Sequence, residues 1–515
     1  MENPARTSPP GQCRAPFNLA AHVLSRADVL GTKPALEILS SGGAEIIDYA
    51  RLKSEVATTA AGLLAAGVHP GDRLLMRMGN NARFPIVFLA AIWVGIIPVP
   101  TSAQLTRREI TALANRLSPQ AIVADHDVSL PAAGPAVVLD AADLARSKPA
   151  TPAEPVLGDP DRPAYIVFSS GTSGVPQGVV HAHRSIRARR AMWRDWYDLT
   201  DNDRLMHAGA LNWTYTMGTG LLDPWTVGAT ALVPADATPP EDLAAMIDRH
   251  RATIFAATPG VYRKLLKGGV GRFQHLRHGL SAGEKLPGVT ARAWHRATGT
   301  LIHEAYGMSE CSTFISGSPR RPAPEGALGY PQPGRRVAII ADGVPVPVGQ
   351  SGIIAVSRSD AGLMLGYLDN PDETHARLAG DWFLTGDMGA MDKDGAVTFL
   401  GRGDDLLNAG GFRVSPQEIE DAMAACPGIE ECAAVEARLA PDTSVVALVY
   451  SCPAPLDDQT LQEHAAGLLA RYKQPRIFRW EPKLPRSANG KLSRRALRNL
   501  NWANFLRKDA NTAGQ

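Results

Sequence analysis

The sequence has few of the features that mark secreted, zinc-binding or membrane-spanning proteins. It contains five cysteines in 515 residues, an odd number with no C-x-x-C pair, so neither a disulfide framework nor a zinc site is indicated. The most apolar run, from Phe84 to Pro100, falls short of the roughly 20 residues that a spanning helix needs. We expect this run to form a buried helix leading into a strand, with no membrane span, in a cytoplasmic protein.

The sequence also lacks a strong net charge. Lys and Arg number 53 against 51 Asp and Glu, a formal charge of +2, which gives no reason to expect general attraction to nucleic acid or anionic lipid. An anionic ligand must therefore be held by a local site. The stretch from Met1 to about Pro16 is rich in proline and polar residues and has no apolar signal-peptide core, so we expect a flexible tail.

The length and the pattern of the chain indicate more than one domain. With 45% hydrophobic residues, the chain is long enough to bury several cores. Helical stretches such as Ala50 to Ala66 alternate with short apolar runs such as Ala121 to Ala124, which is typical of α/β layering. Small and charged residues then concentrate after Gly401. Beyond them the pattern predicts a helix from Pro416, strands over Glu431 to Arg438 and Ser444 to Ser451, and a helix from Asp458 to Tyr472. We expect an α/β fold with these segments: a tail (1–16), a large multi-layer N-terminal domain (17–401), a hinge (402–405) and a small, mobile α+β C-terminal domain (406–515).

A serine- and glycine-rich segment follows the apolar run Ala164 to Phe168. Its glycines allow backbone amides to close round an anion, and its hydroxyls add donors for phosphate oxygens. No Lys-Ser or Lys-Thr pair follows, so the segment is not the loop of P-loop NTPases. Taken alone, it is equally well explained as a flexible surface loop. The candidate phosphate-binding residues are Ser169, Ser170, Gly171, Thr172, Ser173 and Gly174.

In its wider context this segment resembles the phosphate loop of the adenylate-forming superfamily of acyl-CoA synthetases, luciferases and nonribosomal-peptide adenylation domains. That loop reads roughly [ST]-S-G-[ST]-[TS]-G-x-P-K-G, and the resemblance continues through several motifs from about Phe17 to Leu497. It implies ATP, Mg²⁺ and coenzyme A as ligands. The sequence departs from the pattern at Gln177, where a lysine is usual. A neutral amide can hydrogen-bond pyrophosphate but supplies no charge.

Two further segments resemble the nucleotide-binding motifs of that superfamily. The stretch Ser281 to Pro287 is similar to the segment that lines the adenine pocket, and Glu304 to Glu310 looks like the Y-G-x-[TS]-E signature. The resemblance implies that the tyrosine lies against adenine, the hydroxyl contacts phosphate and the glutamate orders Mg²⁺, a cation that prefers oxygen ligands. Thr172 is a second possible magnesium ligand. The residues carried over from these two motifs are Gly283, Glu284, Tyr306, Gly307, Ser309 and Glu310.

The segments around the expected domain boundary resemble the ribose site, the hinge and the thiol tunnel. Asp387 closes a W-F-x-T-G-D pattern, whose aspartate accepts both ribose hydroxyls, and Arg402 is implied to contact ribose or phosphate. Asp404 corresponds to the hinge residue about which the small domain turns. Gly410 and Gly411 are implied to line the tunnel for pantetheine, where side chains would block a thin ligand.

Near the C-terminal end, Pro485 to Arg494 resembles P-[RK]-[ST]-x-x-G-K-[IL]-x-R. In the superfamily this lysine lies between the substrate carboxylate and the α-phosphate of ATP. The resemblance therefore assigns adenylation catalysis to Lys491, together with Glu310. A positive charge placed where negative charge develops is worth roughly a few kcal/mol of the barrier.

The acid is indicated by the segment from Leu211 to Gly220, which carries acyl-pocket residues in the superfamily and looks closer in pattern to benzoate-type ligases than to long-chain ones. Trp213 and Tyr215 are suited to wall a flat apolar pocket, but aromatic core packing explains them almost equally well. An aromatic or cyclic acid, or a short- to medium-chain one, fits this segment.

Taken together, the motifs predict an ATP-dependent carboxylate-CoA ligase. It forms an acyl-AMP, and the CoA thiol then takes the acyl group while AMP leaves. Two alternatives remain open from the sequence: a stand-alone enzyme that loads the phosphopantetheine of a carrier protein, and a non-catalytic nucleotide-binding homologue, which Gln177 alone supports. The expected partners are a small carboxylic acid, ATP and CoA, in a monomer or homodimer that binds no nucleic acid.

Overall fold

The computed structural model describes residues 13–133, 137–146, 151–169, 176–236, 238–402, 407–409, 412–440, 443–469, 471–486 and 492–502. Within these ranges the expected α/β architecture is confirmed, with a large N-terminal part followed by a smaller C-terminal one. In the same ranges no helix is long and apolar enough to cross a membrane.

The α-helices alternate with strands through the large part and recur in the small one. Their bounds are α1 Leu19–Val23, α2 Ala27–Leu30, α3 Tyr49–Ala65, α4 Arg83–Trp93, α5 Arg107–Leu117, α6 Ala141–Arg146, α7 Ser185–Ala188, α8 Arg190–Asp195, α9 Thr214–Met217, α10 Asp223–Val227, α11 Asp242–Arg249, α12 Pro259–Lys267, α13 Gly288–Thr298, α14 Pro371–Ala376, α15 Pro416–Met423, α16 Asp458–Leu468 and α17 Arg494–Arg498. A π-helix, Gly218–Leu222, joins α9 to α10, and a 3₁₀ helix spans Arg471–Lys473.

The strands form one large sheet and several smaller ones. Their bounds are β1 Pro34–Ser40, β2 Gly43–Asp48, β3 Arg73–Arg77, β4 Ile97–Thr101, β5 Ala121–Ala124, β6 Val137–Asp140, β7 Pro163–Ser169, β8 Gln177–Ala182, β9 Arg204–His207, β10 Thr230–Pro234, β11 Ile254–Ala257, β12 His278–Ala282, β13 Ile302–Met308, β14 Ser312–Ser316, β15 Ala327–Pro331, β16 Val337–Ala341, β17 Val344–Pro345, β18 Ser351–Ser357, β19 Gly366–Tyr367, β20 Leu378–Ala379, β21 Trp382–Met391, β22 Val397–Arg402, β23 Leu407–Ala409, β24 Phe412–Val414, β25 Glu431–Ala440, β26 Thr443–Ser451 and β27 Ile477–Trp480.

A parallel core runs through the large sheet in the order β1, β10, β9, β11, β12, β13. From β13 the sheet continues as antiparallel strands through β14, β15, β22 and β21. In open parallel sheets, ligands bind outside the carboxyl ends of the strands. The segments after β9, β12 and β13 are those singled out by sequence motif, so the topology brings them to one edge.

The most apolar run of the sequence packs inside the large part. Helix α4 is buried along Phe84 to Trp93, and β4 follows it. The expected helix-to-strand unit is confirmed. Helix α5, next along the chain, begins with a capping box in which Thr106 and Glu109 satisfy each other's backbone amides, a local signal that fixes where a helix starts.

The small part has its own apolar core between its helices and its sheet. Ile419 and Met423 of α15 pack with Leu448 and Tyr450 of β26. The strands expected at Glu431 to Arg438 and Ser444 to Ser451 are present as β25 and β26, paired antiparallel. The helix expected from Asp458 to Tyr472 is shorter: it ends at Leu468, and Gly467 in its last turn lowers the propensity to continue.

Candidate functional site

Three adjacent strands deliver the candidate residues to the carboxyl edge of the parallel core. Strand β9 ends at His207, before the segment that contains Trp213 and Tyr215. Strand β12 ends at Ala282, directly before Gly283. Strand β13 carries Tyr306 and Gly307 near its C-terminal end. Residues that lie far apart in the sequence thus share one edge of the sheet.

A hydrogen-bonded cluster of Tyr306, Asp387 and Arg402 occupies this edge. The Tyr306 hydroxyl donates to Oδ2 of Asp387 at 2.6 Å, and Nη1 of Arg402 lies 3.2 Å from Oδ1 of the same carboxylate. The pairing of β21 with β22 sets Asp387 opposite Arg402. Burial, and then the negative charge of Asp387, raise the pKa of Tyr306 well above its ordinary value. The tyrosine therefore stays protonated and acts as a donor to the carboxylate of Asp387.

Two glycines of the motifs are required by the backbone itself. Gly283 has φ +93°, in the left-handed region that side chains other than glycine rarely adopt. A Cβ at Gly307 would collide with the backbone of Ser312 and Thr313, where β14 turns back along β13. Gly283 thus permits the turn that follows β12, and Gly307 permits the close approach of β13 and β14.

Glu310 is buried and linked to the strand that leaves the serine- and glycine-rich loop. The Tyr367 hydroxyl donates to Oε1 of Glu310 at 2.7 Å. Tyr367 belongs to β19, which pairs with β8. With Oε1 engaged, Oε2 is the oxygen suited to a cation, and Mg²⁺ accepts one carboxylate oxygen when phosphates and water supply the rest. The described residues include no cluster of three or more His, Cys, Asp or Glu that could hold a metal alone.

Ser309 is tied to β8 as well. Its carbonyl accepts from Nε2 of His181 at 2.8 Å. Burial lowers the pKa of His181 to about 4, so the imidazole is neutral at neutral pH. His183 is also buried, and its Nδ1 accepts from the backbone of Leu19 at 3.0 Å. His181 thus links β8 to the Ser309 segment, and His183, directly after β8, links it to the start of α1.

The two strands that flank the phosphate-loop segment are paired. Ser169 ends β7 and lies opposite Gln177, the first residue of β8. Nδ2 of Asn370 donates to Oε1 of Gln177 at 3.4 Å. The residue that replaces the usual lysine is thus positioned at the mouth of the loop. The rest of the predicted loop lies outside the described residues: Ser170, Gly171, Thr172, Ser173 and Gly174.

The segment Ser281 to Pro287, which is predicted to line the adenine pocket and is called the adenine segment below, is braced by a buried ion pair. Nζ of Lys285 lies 2.8 Å from Oε2 of Glu304, and Oε1 of Glu304 accepts from the backbone of Leu286 at 2.9 Å. Oε1 of Glu284, the residue before Lys285, lies 3.9 Å from Nη1 of Arg486 in the small domain. The roles of Asp404, Gly410, Gly411 and Lys491 stay predictions, because these positions lie outside the described residues.

Tyr215 is held rigidly next to the parallel core. Its hydroxyl donates to the carbonyl of Leu280 at 3.3 Å. Its ring stacks with Trp196 at a centroid distance of 5.9 Å and meets the edge of His207 at 4.3 Å. Trp213 is half-buried at the N-terminal cap of α9. Tyr215 therefore lies on the short helix α9 and Trp213 directly precedes it, and Thr214 and Met217 of α9 line a cavity together with Ser309.

Sequence reasoning missed a buried ion pair behind this helix. Nη2 of Arg189 lies 2.6 Å from Oδ2 of Asp223, which also accepts from the Tyr197 hydroxyl at 2.8 Å. Both charged side chains are almost fully buried. A Cβ at Gly218 would collide with the guanidinium, so glycine is required beside it. No motif marks this pair, because its members are 34 residues apart in a run without periodicity.

The ion pair borders a small cavity between α9 and the nucleotide signature. The cavity measures about 20 Å³, room for about one water molecule. Its lining includes Arg189, Thr214, Met217, Ser309 and Ser312. The cavity therefore connects the candidate acyl helix with the signature that carries Glu310.

Comparison with known families agrees with this geometry. Residues 25–368 match the family model described as AMP-binding enzyme, and residues 418–491 match the model described as AMP-binding enzyme C-terminal domain. The chain belongs to the AMP-binding enzyme family. The resemblance inferred from the motifs is confirmed.

Similar proteins include ligases of aromatic acids. The 3-hydroxybenzoate–CoA ligase of Aromatoleum sp. (strain CIB) is 30% identical over 505 residues, which cover 92% of this chain and 94% of that protein. The benzoate CoA ligase from Burkholderia xenovorans LB400 superposes with a TM-score of 0.83 at 25% identity, covering 94% of this chain and 100% of that one. ATP-bound MatB from Rhodopseudomonas palustris gives a TM-score of 0.84 at 26% identity, covering 95% and 100%.

These comparisons establish the reaction class. The protein is an AMP-forming acid–thiol ligase, which uses ATP to convert a carboxylate into an acyl-AMP and then forms an acyl-CoA. ATP and coenzyme A are its co-substrates. The alternative of a non-catalytic homologue is set aside. The particular acid is not determined by family membership.

Proposed function

We propose that this ligase activates a small aromatic carboxylic acid and transfers the aroyl group to coenzyme A. The observation that carries the proposal is the rigid Tyr215, fixed by Leu280, Trp196 and His207 on the helix that faces the nucleotide signature. A fixed aromatic wall favours a flat ring by stacking or edge contact at little entropic cost. Trp213, next to it, would form the second wall.

The size and charge of the site support the same class of acid. The cavity next to Thr214 has room for about one water molecule, a size that would admit a small substituent on a ring. The charge of Arg189 is already offset by Asp223. Among the described residues that line this cavity, a second carboxylate on the substrate would find no cation without a carboxylate partner, so monocarboxylic acids are favoured over dicarboxylic ones.

In the first half-reaction, the chain holds the nucleotide and offsets developing charge. Asp387 would accept from the ribose hydroxyls, and Tyr306 would lie against adenine. A carboxylate oxygen attacks the α-phosphorus, and the bond to the bridging oxygen of pyrophosphate breaks. Lys491 would lie between carboxylate and α-phosphate, where negative charge accumulates. The products are acyl-AMP and pyrophosphate.

Magnesium would be held by Glu310 through Oε2, with Thr172 as a possible second protein ligand. When bound, Mg²⁺ neutralises charge on the triphosphate. Ser309 would contact phosphate, as would the loop from Ser169 to Gly174. Because Gln177 brings no charge to this loop, more of the compensation for pyrophosphate falls to the cation and to Lys491.

In the second half-reaction, the small domain would turn about Asp404 and open a path for the thiol. Gly410 and Gly411 would line the pantetheine tunnel, and Arg402 would leave its first contact. The sulfur attacks the acyl carbonyl, and the carbonyl–oxygen bond to AMP breaks. AMP leaves with its oxygen, and the acyl group remains as a thioester.

The experiment that tests the acid class is a panel assay with MgATP and CoA. Benzoate, 3-hydroxybenzoate, cyclohexanecarboxylate, malonate, hexanoate and decanoate are compared by kcat/KM, with mass detection of each acyl-CoA. We expect the two benzoates to exceed the aliphatic acids by at least about tenfold, the effect of roughly 1.4 kcal/mol. A preference for decanoate or malonate would overturn the proposed class while leaving the ligase activity intact.

We also propose that the enzyme acts in the cytoplasm as a monomer or homodimer. All five cysteines are free: Cys13, Cys311, Cys426, Cys432 and Cys452. Free, largely buried thiols are typical of a reducing compartment. Light scattering of the purified protein measures the oligomeric state, and a tetramer would contradict this expectation.

A further inference from the structure

Two basic residues of the large domain face two consecutive acidic residues of the small domain. Arg263 and Lys267 lie one turn apart on α12, so they project from the same face of the helix. Nη2 of Arg263 lies 2.6 Å from Oε1 of Glu431, and Nζ of Lys267 lies 3.1 Å from Oε1 of Glu430. Glu431 begins β25. Helix α12 is thereby joined to the sheet of the small domain.

Glu431 also contacts a second arginine. Nη2 of Arg486 lies 2.7 Å from the same Oε1, and Nη1 of Arg486 lies 3.9 Å from Glu284 in the adenine segment. The side chains of Arg263, Glu431 and Arg486 are each 26% exposed, so solvent and salt screen them less than they screen fully exposed pairs. A series of ion pairs thus connects Arg263 of α12 to Glu431 and Glu431 to Arg486.

Arg486 stands at the base of the segment that carries Lys491. It forms an antiparallel bridge with Leu492, and the amide of Ser493 donates to the carbonyl of Pro485 at 2.9 Å. Lys491 directly precedes Leu492 in the chain. Fixing Arg486 therefore fixes the backbone one residue away from Lys491.

We propose that Arg263, Glu431 and Arg486 are positioning residues for the first half-reaction. They hold the small domain in the orientation that brings the base of the Lys491 segment to the adenine segment. This inference rests on the proposed role of Lys491 and on the proposed rotation between half-reactions. None of the three residues needs to touch the reacting atoms.

Loss of these contacts should change the populations of the two domain orientations. A contact made in only one orientation of two domains stabilises that orientation alone. Removing the contact shifts the population towards the orientation for thiol attack. Adenylation should therefore slow, while transfer from preformed acyl-AMP should be unchanged or faster.

The test replaces Arg263 by alanine and measures the half-reactions separately. Acid-dependent exchange of labelled pyrophosphate into ATP reports adenylation, and conversion of synthetic benzoyl-AMP with CoA reports transfer. We expect Arg263→Ala to slow exchange by roughly three- to tenfold, as expected for one partly buried ion pair. Glu431→Gln should act in the same direction, and Arg263→Lys should restore most of the exchange rate.

The matched control is Arg292→Ala. Arg292 pairs with Glu325 within the large domain, so its loss should change neither half-reaction. Equal losses in both half-reactions for Arg263→Ala would show a merely structural role and overturn the proposal. Unchanged exchange in Arg263→Ala would overturn it as well.

A second measurement is independent of turnover. Spin labels are introduced through a non-canonical amino acid at the exposed Val29 in the large domain and the exposed Leu468 in the small domain. The distance between the two labels reports the relative orientation of the domains. With ATP bound, Arg263→Ala should add a second distance that the wild type and Arg292→Ala lack, and identical distributions would overturn the proposal. If the wild type exchanged pyrophosphate with no acid of the panel, the proposed substrate class would fail, and the distance measurement would still decide the domain contact.

Discussion

Replacing Asp387 by asparagine should weaken use of ATP without affecting use of the acid. In the structure both oxygens of this carboxylate are engaged, by the Tyr306 hydroxyl at 2.6 Å and by Arg402 at 3.2 Å. These contacts hold the negatively charged carboxylate of Asp387 in place on β21, where we propose that the ribose hydroxyls bind. Asparagine keeps the shape but loses the charge and one acceptor.

The magnitude follows from the difference between charged and neutral acceptors. Hydrogen bonds to charged groups contribute about 1.5–3 kcal/mol against about 0.5–1.5 kcal/mol for neutral ones. For two ribose contacts the loss is about 2–3 kcal/mol, or roughly 30- to 150-fold in kcat/KM for ATP. Steady-state pyrophosphate release at saturating acid, with ATP varied, measures this change.

The control for this prediction, Asp381, lies directly before the same motif. Asp381 is exposed, and its backbone carbonyl, not its side chain, accepts from Arg358. Asp381→Asn should leave kcat/KM for ATP within about twofold of the wild type, as surface substitutions usually do. The reasoning would be refuted if Asp387→Asn changed kcat/KM for ATP by less than threefold, or if it raised the KM of the acid instead.

Three further predictions follow from buried groups. Glu310→Gln should raise the Mg²⁺ concentration for half-maximal pyrophosphate release by about tenfold, since a neutral amide is a poor ligand for a hard cation; an unchanged Mg²⁺ titration would remove Glu310 from that role. Arg189→Leu should lower the free energy of unfolding by about 3–5 kcal/mol, because Asp223 is left buried without its partner, and adding Asp223→Leu should recover most of that loss in urea titrations. Burial lowers the pKa of His181 to about 4 and of His207 to about 3. Below pH 6.5 these histidines therefore bind protons in the unfolded chain while they stay neutral in the folded one. Stability should therefore fall as pH drops from 6.5 towards 4, by up to about 1.4 kcal/mol per pH unit for each histidine, and a flat profile over that range in chemical denaturation would contradict this.

Much of the fold was predictable because local signals agree with the final packing. The apolar run from Phe84 to Pro100 contains no charged side chain, and it forms a buried helix followed by a strand. The run Ala121 to Ala124 forms β5 with the expected bounds. The helix after Asp458 was predicted too long, since its end depends on Gly467 and on packing in the small domain.

The site was predictable in composition but not in its contacts. The motifs predict Tyr306, Asp387 and Arg402 individually. Nothing local shows that the carboxylate of Asp387 contacts both Arg402 and Tyr306, which lies 81 residues before Asp387. The contact between Arg263 and Glu431 spans 168 residues. Such pairs arise from sheet register and domain docking, which leave no periodic trace in the sequence.

The measurement that tests the mechanism most directly follows the carboxylate oxygens. Benzoate labelled with ¹⁸O in both positions is turned over with MgATP and CoA, and AMP, pyrophosphate and benzoyl-CoA are analysed by mass spectrometry. Attack of the carboxylate on the α-phosphorus, followed by thiol attack on the carbonyl, places one ¹⁸O in AMP, one in benzoyl-CoA and none in pyrophosphate. Label in pyrophosphate, or AMP without label, would contradict an acyl-adenylate intermediate.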